Sequence, residues 1–205
     1  MLEFIITEDI KKLKDVNLPD PDLLYYYNMM DNREIFVNFD IDENLIVNSY
    51  DIIKWNKDDK GIPIDERKPI KIFINSDGGC LNTILHVIDT IKLSKTPVIT
   101  IGMGKAYSAG GLLLMAGHKR YIFKDTTFLL HNGSSGLFGS VAKLADGFHF
   151  QQKLEERVKE YVLEHTKIDS DLYDKNYRRD WFMLSDEIIE YKIADSIITD
   201  LDEIL

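Results

Sequence analysis

The 205-residue sequence has few of the residues that cross-link or stiffen small proteins, since it contains one cysteine, Cys80, and five prolines. A single cysteine excludes an internal disulfide framework and a cysteine-rich zinc site, and it fits a reducing compartment. No apolar run approaches the roughly 20 residues that cross a bilayer. The N-terminus lacks the basic region and long apolar core of a signal peptide. We therefore expect a cytoplasmic protein with no membrane association and no metal site.

Basic residues are also fewer than acidic residues. The sequence has 25 lysines and arginines against 35 acidic residues, which gives a formal net charge of −10. Because phosphate contacts need clustered cations, we expect no nucleic-acid partner. Hydrophobic residues make up 44% of the chain, which is enough for a substantial core. A chain of this length fits a single domain, which we place at residues 33–205.

Strand-like and helix-like segments alternate along this domain. Strands are predicted at 34–39, 70–74, 98–101, 120–123, 127–130 and 194–198. Helices are predicted at 45–55, 81–93, 108–116, 140–166 and in a short segment capped by Ser185. The alternation predicts β-α-β crossovers and a mostly parallel sheet. Residues 1–32, which contain Pro19-Asp-Pro21 and three consecutive tyrosines, are predicted to form an irregular arm with the tyrosines as a packing strip.

Two glycine-rich turns each lead from a predicted strand into a helix. The first contains Gly78 and Gly79, and the second runs from Gly102 to Gly111. Backbone N–H groups at a helix N-terminus carry partial positive charge, and glycine lets a ligand approach them closely. Such turns can hold a phosphate, a carboxylate or the oxyanion of a tetrahedral intermediate. Neither turn matches a Walker A loop or a dinucleotide-binding fingerprint.

A serine and a histidine stand where strands end. Ser108 lies in the second glycine-rich turn, and His131 follows the strand predicted at 127–130. The carboxyl ends of parallel strands converge on one crevice, so the two side chains are candidates for a nucleophile and its general base. A helix-capping role is the commoner explanation for a serine at such a position, and the pattern alone leaves both interpretations open.

Several segments in order resemble the proteolytic subunit of the Clp protease, the ClpP family of ATP-dependent serine peptidases. The resemblance covers residues 33–198. It is carried by Ile74-Asn-Ser-Asp-Gly-Gly, Gly104-Lys-Ala-Tyr-Ser-Ala-Gly-Gly-Leu-Leu, Leu130-His131, the glycine-rich stretch 133–139 with its long following helix, and Arg179-Asp-Trp-Phe-Met-Leu-Ser-Asp-Glu-Ile-Ile-Glu-Tyr191. The combination is far more specific than any one of these motifs.

The resemblance implies both a fold and a set of site residues. The implied fold is an α/β crotonase/ClpP-like spiral of β-β-α units, with a long protruding handle helix over about 133–166. Ser108 would be the nucleophile, His131 the general base, and Asp180 the carboxylate that orients the imidazole. The backbone N–H groups of Gly79 and Ala109 would bind the oxyanion. No cofactor is implied.

The same resemblance implies partners. The subunits would assemble with themselves into stacked rings of seven, cleave extended polypeptides inside the ring chamber, and accept substrates from an AAA+ unfoldase. The glycine-rich stretch 133–139 would supply a strand to which a substrate adds by β-pairing.

The sequence also departs from the family pattern. Asp77 stands where the family usually has proline, which places a negative charge beside the expected oxyanion site. Asn132-Gly133 replaces the usual Gln-Pro, and residues 1–32 do not match the family's axial loop. These departures leave a second interpretation open, a catalytically weak or silent subunit that supports a partner peptidase or ATPase. An acyl-CoA enzyme ranks third, because a Ser-His-Asp set has no role in its chemistry. Cys80 is interpreted as a small buried residue rather than a nucleophile.

Overall fold

Seven strands form one mixed sheet in the computed structural model, which describes residues 20–134 and 136–204. The strands are β1 (Glu34–Val37), β2 (Ile70–Ser76), β3 (Val98–Tyr107), β4 (Lys119–Ile122), β5 (Thr127–Leu130), β6 (Trp181–Met183) and β7 (Ser196–Ile197). The helices are α1 (Pro21–Asn32), α2 (Ile46–Asp58), α3 (Leu81–Leu93), α4 (Ala109–Met115), α5 (Val141–His165), α6 (Ser170–Asn176) and α7 (Ser185–Glu190).

The sheet is parallel along its main path and divides at β3. The main order is β1-β2-β3-β4-β7, with every pair parallel. The first part of β3 pairs with β4, while Lys105–Tyr107 pairs with β5, also in parallel. β5 then pairs with β6 in antiparallel fashion. The arrangement confirms the predicted α/β fold with a mostly parallel sheet.

One face of the sheet is covered by helices, and strand β2 shows why. Its residues alternate between buried and half-buried positions, so that Ile70, Ile72 and Ile74 all point into the main core. Helix α3 meets this face with an apolar stripe at helical spacing, which is buried on the sheet. The opposite face carries half-buried aromatic side chains, including a stacked Phe36–Phe73 pair with ring centroids 4.7 Å apart.

Helix α5 is the longest helix of the described chain, and its two halves differ in burial. Its 25 residues correspond to a length of roughly 37 Å at the standard rise of an α-helix. Its buried residues are Val158, Tyr161 and Val162, all in the C-terminal half. The N-terminal half therefore projects from the domain, as expected of a handle helix.

Residues 21–32 correct the predicted irregular arm, because they form helix α1. Asp20 occupies the N-cap and accepts a hydrogen bond from the Asp22 N–H at 2.8 Å, while Pro21 takes the first helical position. Proline at that position and an acidic N-cap are strong signals for the start of a helix. The helix buries none of its residues, and the three tyrosines at 25–27 are exposed, so the predicted packing strip is wrong for the single chain. The predicted arm over 1–19 lies outside the described residues.

Several smaller elements also differ from the prediction. Helix α6 and strand β6 were not predicted, and β3 extends to Tyr107 instead of ending at residue 101. The N-cap of α7 is Leu184 rather than Ser185, and the Leu184 N–H donates to Glu187 Oε2 at 3.1 Å. The described residues 133–134 and 136–139 contain no strand, so the substrate-pairing strand expected there is not formed in the isolated chain.

Candidate active site

Ser108 lies at the abrupt junction between β3 and α4. Its backbone has φ 52° and ψ −120°, a region that residues other than glycine rarely adopt. The Ser108 N–H donates to Leu129 O at 2.8 Å, which fixes the junction beside the end of β5. Strained backbone of this kind clusters at functional sites, and a serine on a sharp strand-to-helix turn presents its hydroxyl outward.

His131 and Asp180 are brought together by the register of β5 and β6. Leu130 pairs with Trp181 across the antiparallel ladder, so the residue after Leu130 lies opposite the residue before Trp181. The His131 Nδ1 and Asp180 Oδ1 atoms are 3.1 Å apart. The His131 side chain is 26% exposed and the Asp180 side chain 61% exposed. A carboxylate at Nδ1 fixes the tautomer that leaves Nε2 free to act as a base.

Ser108 and His131 line the same cavity of about 430 Å³. Within the described residues, however, the Ser108 hydroxyl makes no hydrogen bond to the His131 ring. Of the two contacts expected in a Ser-His-Asp triad, the structure contains the histidine–aspartate contact only.

Two further residues that line this cavity have backbone N–H groups without a partner in the described part of the chain. Gly79 belongs to the turn between β2 and α3, and Ala109 is the first residue of α4; both line the cavity. Within residues 20–134 and 136–204, neither N–H donates a hydrogen bond to another group of the chain. Two unpaired donors next to a serine hydroxyl can bind an anionic oxygen.

The turn that carries Gly79 is held tightly from both sides. Ile41 bridges it, because the Ile41 N–H donates to Gly78 O and the Cys80 N–H donates to Ile41 O, each at 2.7 Å. Gly79 has φ +145°, and a Cβ added there would lie 2.1 Å from Ile41 O. A Cβ on Gly78 would lie 2.7 Å from the Cβ of Ser108. Only glycine fits at these two positions, so the turn and the serine junction are built as one unit.

Asp77 lines the cavity but is not an isolated charge. Its carboxylate forms an ion pair and hydrogen bond with the Lys105 ammonium, which comes from β3. The hydrogen bond to Asp77 and the charge of that carboxylate raise the pKa of Lys105 above its ordinary value. The negative charge of Asp77 was evident from the sequence, but the lysine that pairs with it was not.

The floor of the cavity is apolar and includes the base of the handle. Leu112 and Leu130 contribute from α4 and β5, and Leu154 and Val158 contribute from α5. Tyr177 lines the same cavity, and its backbone oxygen accepts the Asn132 N–H at 3.0 Å. Sequence reasoning missed these residues, because their contribution depends on where α5 and the α6 region pack.

Cys80 also lines the cavity and corrects one prediction. The thiol is exposed rather than buried, and it occupies the N-cap of α3. The neighbouring Thr83 hydroxyl and the backbone N–H groups at the start of the helix lower the pKa of the Cys80 thiol. His131 is already oriented by Asp180, so the described geometry gives the thiol no dedicated base.

Two negative findings apply to residues 20–134 and 136–204. No helix in these ranges is both long enough and apolar enough to span a bilayer. The same ranges contain no group of three histidine, cysteine, aspartate or glutamate side chains placed to hold a metal ion.

The sequence model of the Clp protease family matches residues 23–200, a span that contains all seven strands and every cavity residue named above. The chain belongs to the Clp protease family. Membership confirms the predicted family and the ClpP-like α/β fold, and it supports a ClpP-like peptidase. In general terms, a Clp protease subunit is expected to assemble with other subunits and to work with an unfoldase.

Proposed function

We propose that this Clp protease family member is a serine endopeptidase that cleaves extended polypeptides. The observation that carries the proposal is a single cavity lined by Ser108, by His131, and by Gly79 and Ala109, whose N–H groups are unpaired within the described residues. Asp180 lies behind His131 in the chain of contacts, with its carboxylate 3.1 Å from the ring nitrogen. Nucleophile, oriented base and oxyanion donors are the parts that acyl transfer requires.

In this proposal each residue of the site has a role. His131 accepts the proton of the Ser108 hydroxyl as the oxygen attacks the scissile carbonyl, and it returns that proton to the leaving amine. Asp180 holds the imidazole in position and stabilises the imidazolium. The Gly79 and Ala109 N–H groups bind the oxygen that becomes negative in the tetrahedral intermediate. The apolar floor beside Leu112 and Leu154 accommodates a substrate side chain.

A fluorophosphonate probe tests the proposal, because it reacts covalently with activated serines. We expect intact-mass measurement to show one adduct per chain on the wild type and none on Ser108→Ala. Peptide hydrolysis by Ser108→Ala should fall by about 10³-fold or more. Serine and alanine are of similar size, so we expect the variant to fold, and circular dichroism of both proteins checks this.

The missing hydrogen bond between Ser108 and His131 favours one alternative, a silent subunit that supports an active partner. A folded, oligomeric wild type that forms no adduct and hydrolyses no peptide would favour that alternative. Hydrolysis with a single adduct at Ser108 would exclude it.

We also propose that the subunits stack into heptameric rings and receive substrates from an AAA+ unfoldase. Family membership supports both proposals. The handle region supports assembly in particular, because it exposes several large apolar side chains, among them Phe138, Val141, Phe148 and Phe150. Exposed apolar clusters of this kind mark interaction surfaces. Native mass spectrometry measures the number of subunits directly, and a monomer at micromolar concentration would contradict the ring.

A further inference from the structure

The pair formed by Asp77 and Lys105 joins the oxyanion turn to the strand that leads to Ser108. Asp77 lies two residues before Gly79 and lines the cavity, whereas Lys105 lies outside the cavity lining, three residues before Ser108. The carboxylate Oδ2 and the lysine Nζ are in direct contact. The lysine is therefore outside the cavity lining and contacts Asp77, which is the one acidic side chain among the described residues that line the cavity.

An irregularity in the sheet brings the lysine to this place. Ile74 pairs with Gly102, but Ser76 pairs with Ala106, so β3 contains two more residues than β2 between these pairs. Asn75 fixes the irregular segment by accepting the Lys105 N–H at 3.1 Å. The backbone of Lys105 is thus held next to Asn75, two residues before Asp77, and its side chain reaches the Asp77 carboxylate from there.

The pair adds little to the stability of the fold. The Lys105 side chain is 44% exposed and the Asp77 side chain 57% exposed, and ion pairs this exposed contribute little to folding. The consequence for catalysis is larger, because an unpaired carboxylate lining the cavity would repel the negative oxygen that forms beside Gly79 and Ala109. That repulsion acts on the transition state more than on the bound, neutral substrate.

We infer that Lys105 is a positioning residue for catalysis, which neutralises Asp77 and holds its carboxylate away from the developing oxyanion. The inference rests on the proposed peptidase function. It explains how the chain carries an acidic residue in the oxyanion turn while the N–H groups of Gly79 and Ala109, two residues that line the cavity, stay unpaired within the described chain.

Four variants separate this role from a structural one. Lys105→Met leaves the carboxylate unpaired, and we expect kcat for peptide hydrolysis to fall by about tenfold with KM little changed, as a nearby unit charge in an intermediate dielectric implies. Lys105→Arg keeps the charge and should retain most of the activity. Asp77→Asn should lose less than Lys105→Met. The double variant Asp77→Asn with Lys105→Met should recover to the level of Asp77→Asn alone.

Asp40 provides a matched control. The charge of its carboxylate also raises the pKa of Lys105, but Asp40 does not line the cavity. We expect Asp40→Asn to give no recovery in the Lys105→Met background. Thermal unfolding of every variant identifies any loss that comes from the fold.

The outcomes distinguish the inference from the function on which it rests. An active, probe-reactive wild type with an equally active Lys105→Met variant would overturn the inference and leave the peptidase function standing. A double variant as impaired as Lys105→Met would also overturn it, because the role would then be structural. A folded wild type with neither hydrolysis nor a probe adduct would overturn both.

Discussion

The two sides of the cavity are built in contrasting ways. The nucleophile side, which consists of Gly78, Gly79, Ser108 and Ala109, is continuous with helix α4, and all seven residues of that helix are buried. The acid–base side, which consists of His131 and Asp180, is partly exposed and rests on β6, a strand of three residues.

The contrast predicts what each side tolerates. The backbone strain at Ser108 is maintained by close packing, so the nucleophile side should be sensitive to added volume. The acid–base side is held by strand register and one hydrogen bond. It should accept changes of volume better and depend mainly on charge and hydrogen bonding.

The largest effect is expected from Gly79→Ala. The new methyl group would lie 2.1 Å from Ile41 O, so the turn must move and carry its N–H away from the cavity. Because losing one oxyanion donor costs about 10²- to 10³-fold in kcat, peptide hydrolysis should fall by at least about 10²-fold.

Gly61→Ala is the matched control for that variant. Gly61 also has a positive φ, +96°, but nothing lies within 4 Å of an added Cβ. Its backbone strain should lower the free energy of unfolding by about 1 kcal/mol and leave hydrolysis unchanged. Equal activity of the two variants would contradict the idea that packing controls the nucleophile side.

A smaller loss is expected from Asp180→Asn. Loss of the orienting carboxylate costs about 10⁴-fold where that carboxylate is buried, as in the chymotrypsin-type triad. Asp180 is largely exposed, so water shares in stabilising the imidazolium, and we expect a loss of about 10²-fold in kcat. Asp171→Asn, a nearby exposed carboxylate on α6, should be close to wild type. A similar loss in both variants would show that Asp180 has no specific role.

Local patterns predicted the sheet core and one helix closely. Helix α3 and strand β5 have the predicted bounds, because their apolar residues follow the helical and strand periods over full elements. Strand β6 was missed because three residues carry too little pattern, and it exists only through its pairing with β5. The contact between His131 and Asp180 was therefore implied by resemblance to a family and not by periodicity.

The ion pair of Asp77 and Lys105 shows a second limit. These residues are 28 positions apart, and their contact depends on the two extra residues of β3 between Gly102 and Ala106. An irregularity of sheet register has no periodic signature in one sequence. The acidic residue was evident from the sequence, but the pairing that neutralises it was not.

The smallest effect concerns pH and tests the acid–base side without a substitution. Protonated imidazole cannot accept the serine proton, so wild-type kcat should fall on acidification. The ion pair between Arg33 and Asp59 should not contribute to this loss. The hydrogen bond from Arg33 lowers the pKa of Asp59 below 3.8. The ion pair therefore stabilises the folded state at any pH above 3.8, and this stabilisation is lost only in stronger acid.

Protonation of His165 can also lower activity at acid pH, because it destabilises the folded protein. Burial lowers the pKa of His165 below 6.5, so the folded state binds fewer protons than the unfolded state, and stability declines as the pH falls below that value. The Nδ1 of His165 lies 2.8 Å from Tyr161 O, a contact that a glutamine amide can replace. His165→Gln should therefore flatten the pH dependence of the unfolding temperature and leave the acid decline of kcat in place. If His165→Gln abolishes the decline of kcat, the decline arises from unfolding, and His131 is not the base that limits activity.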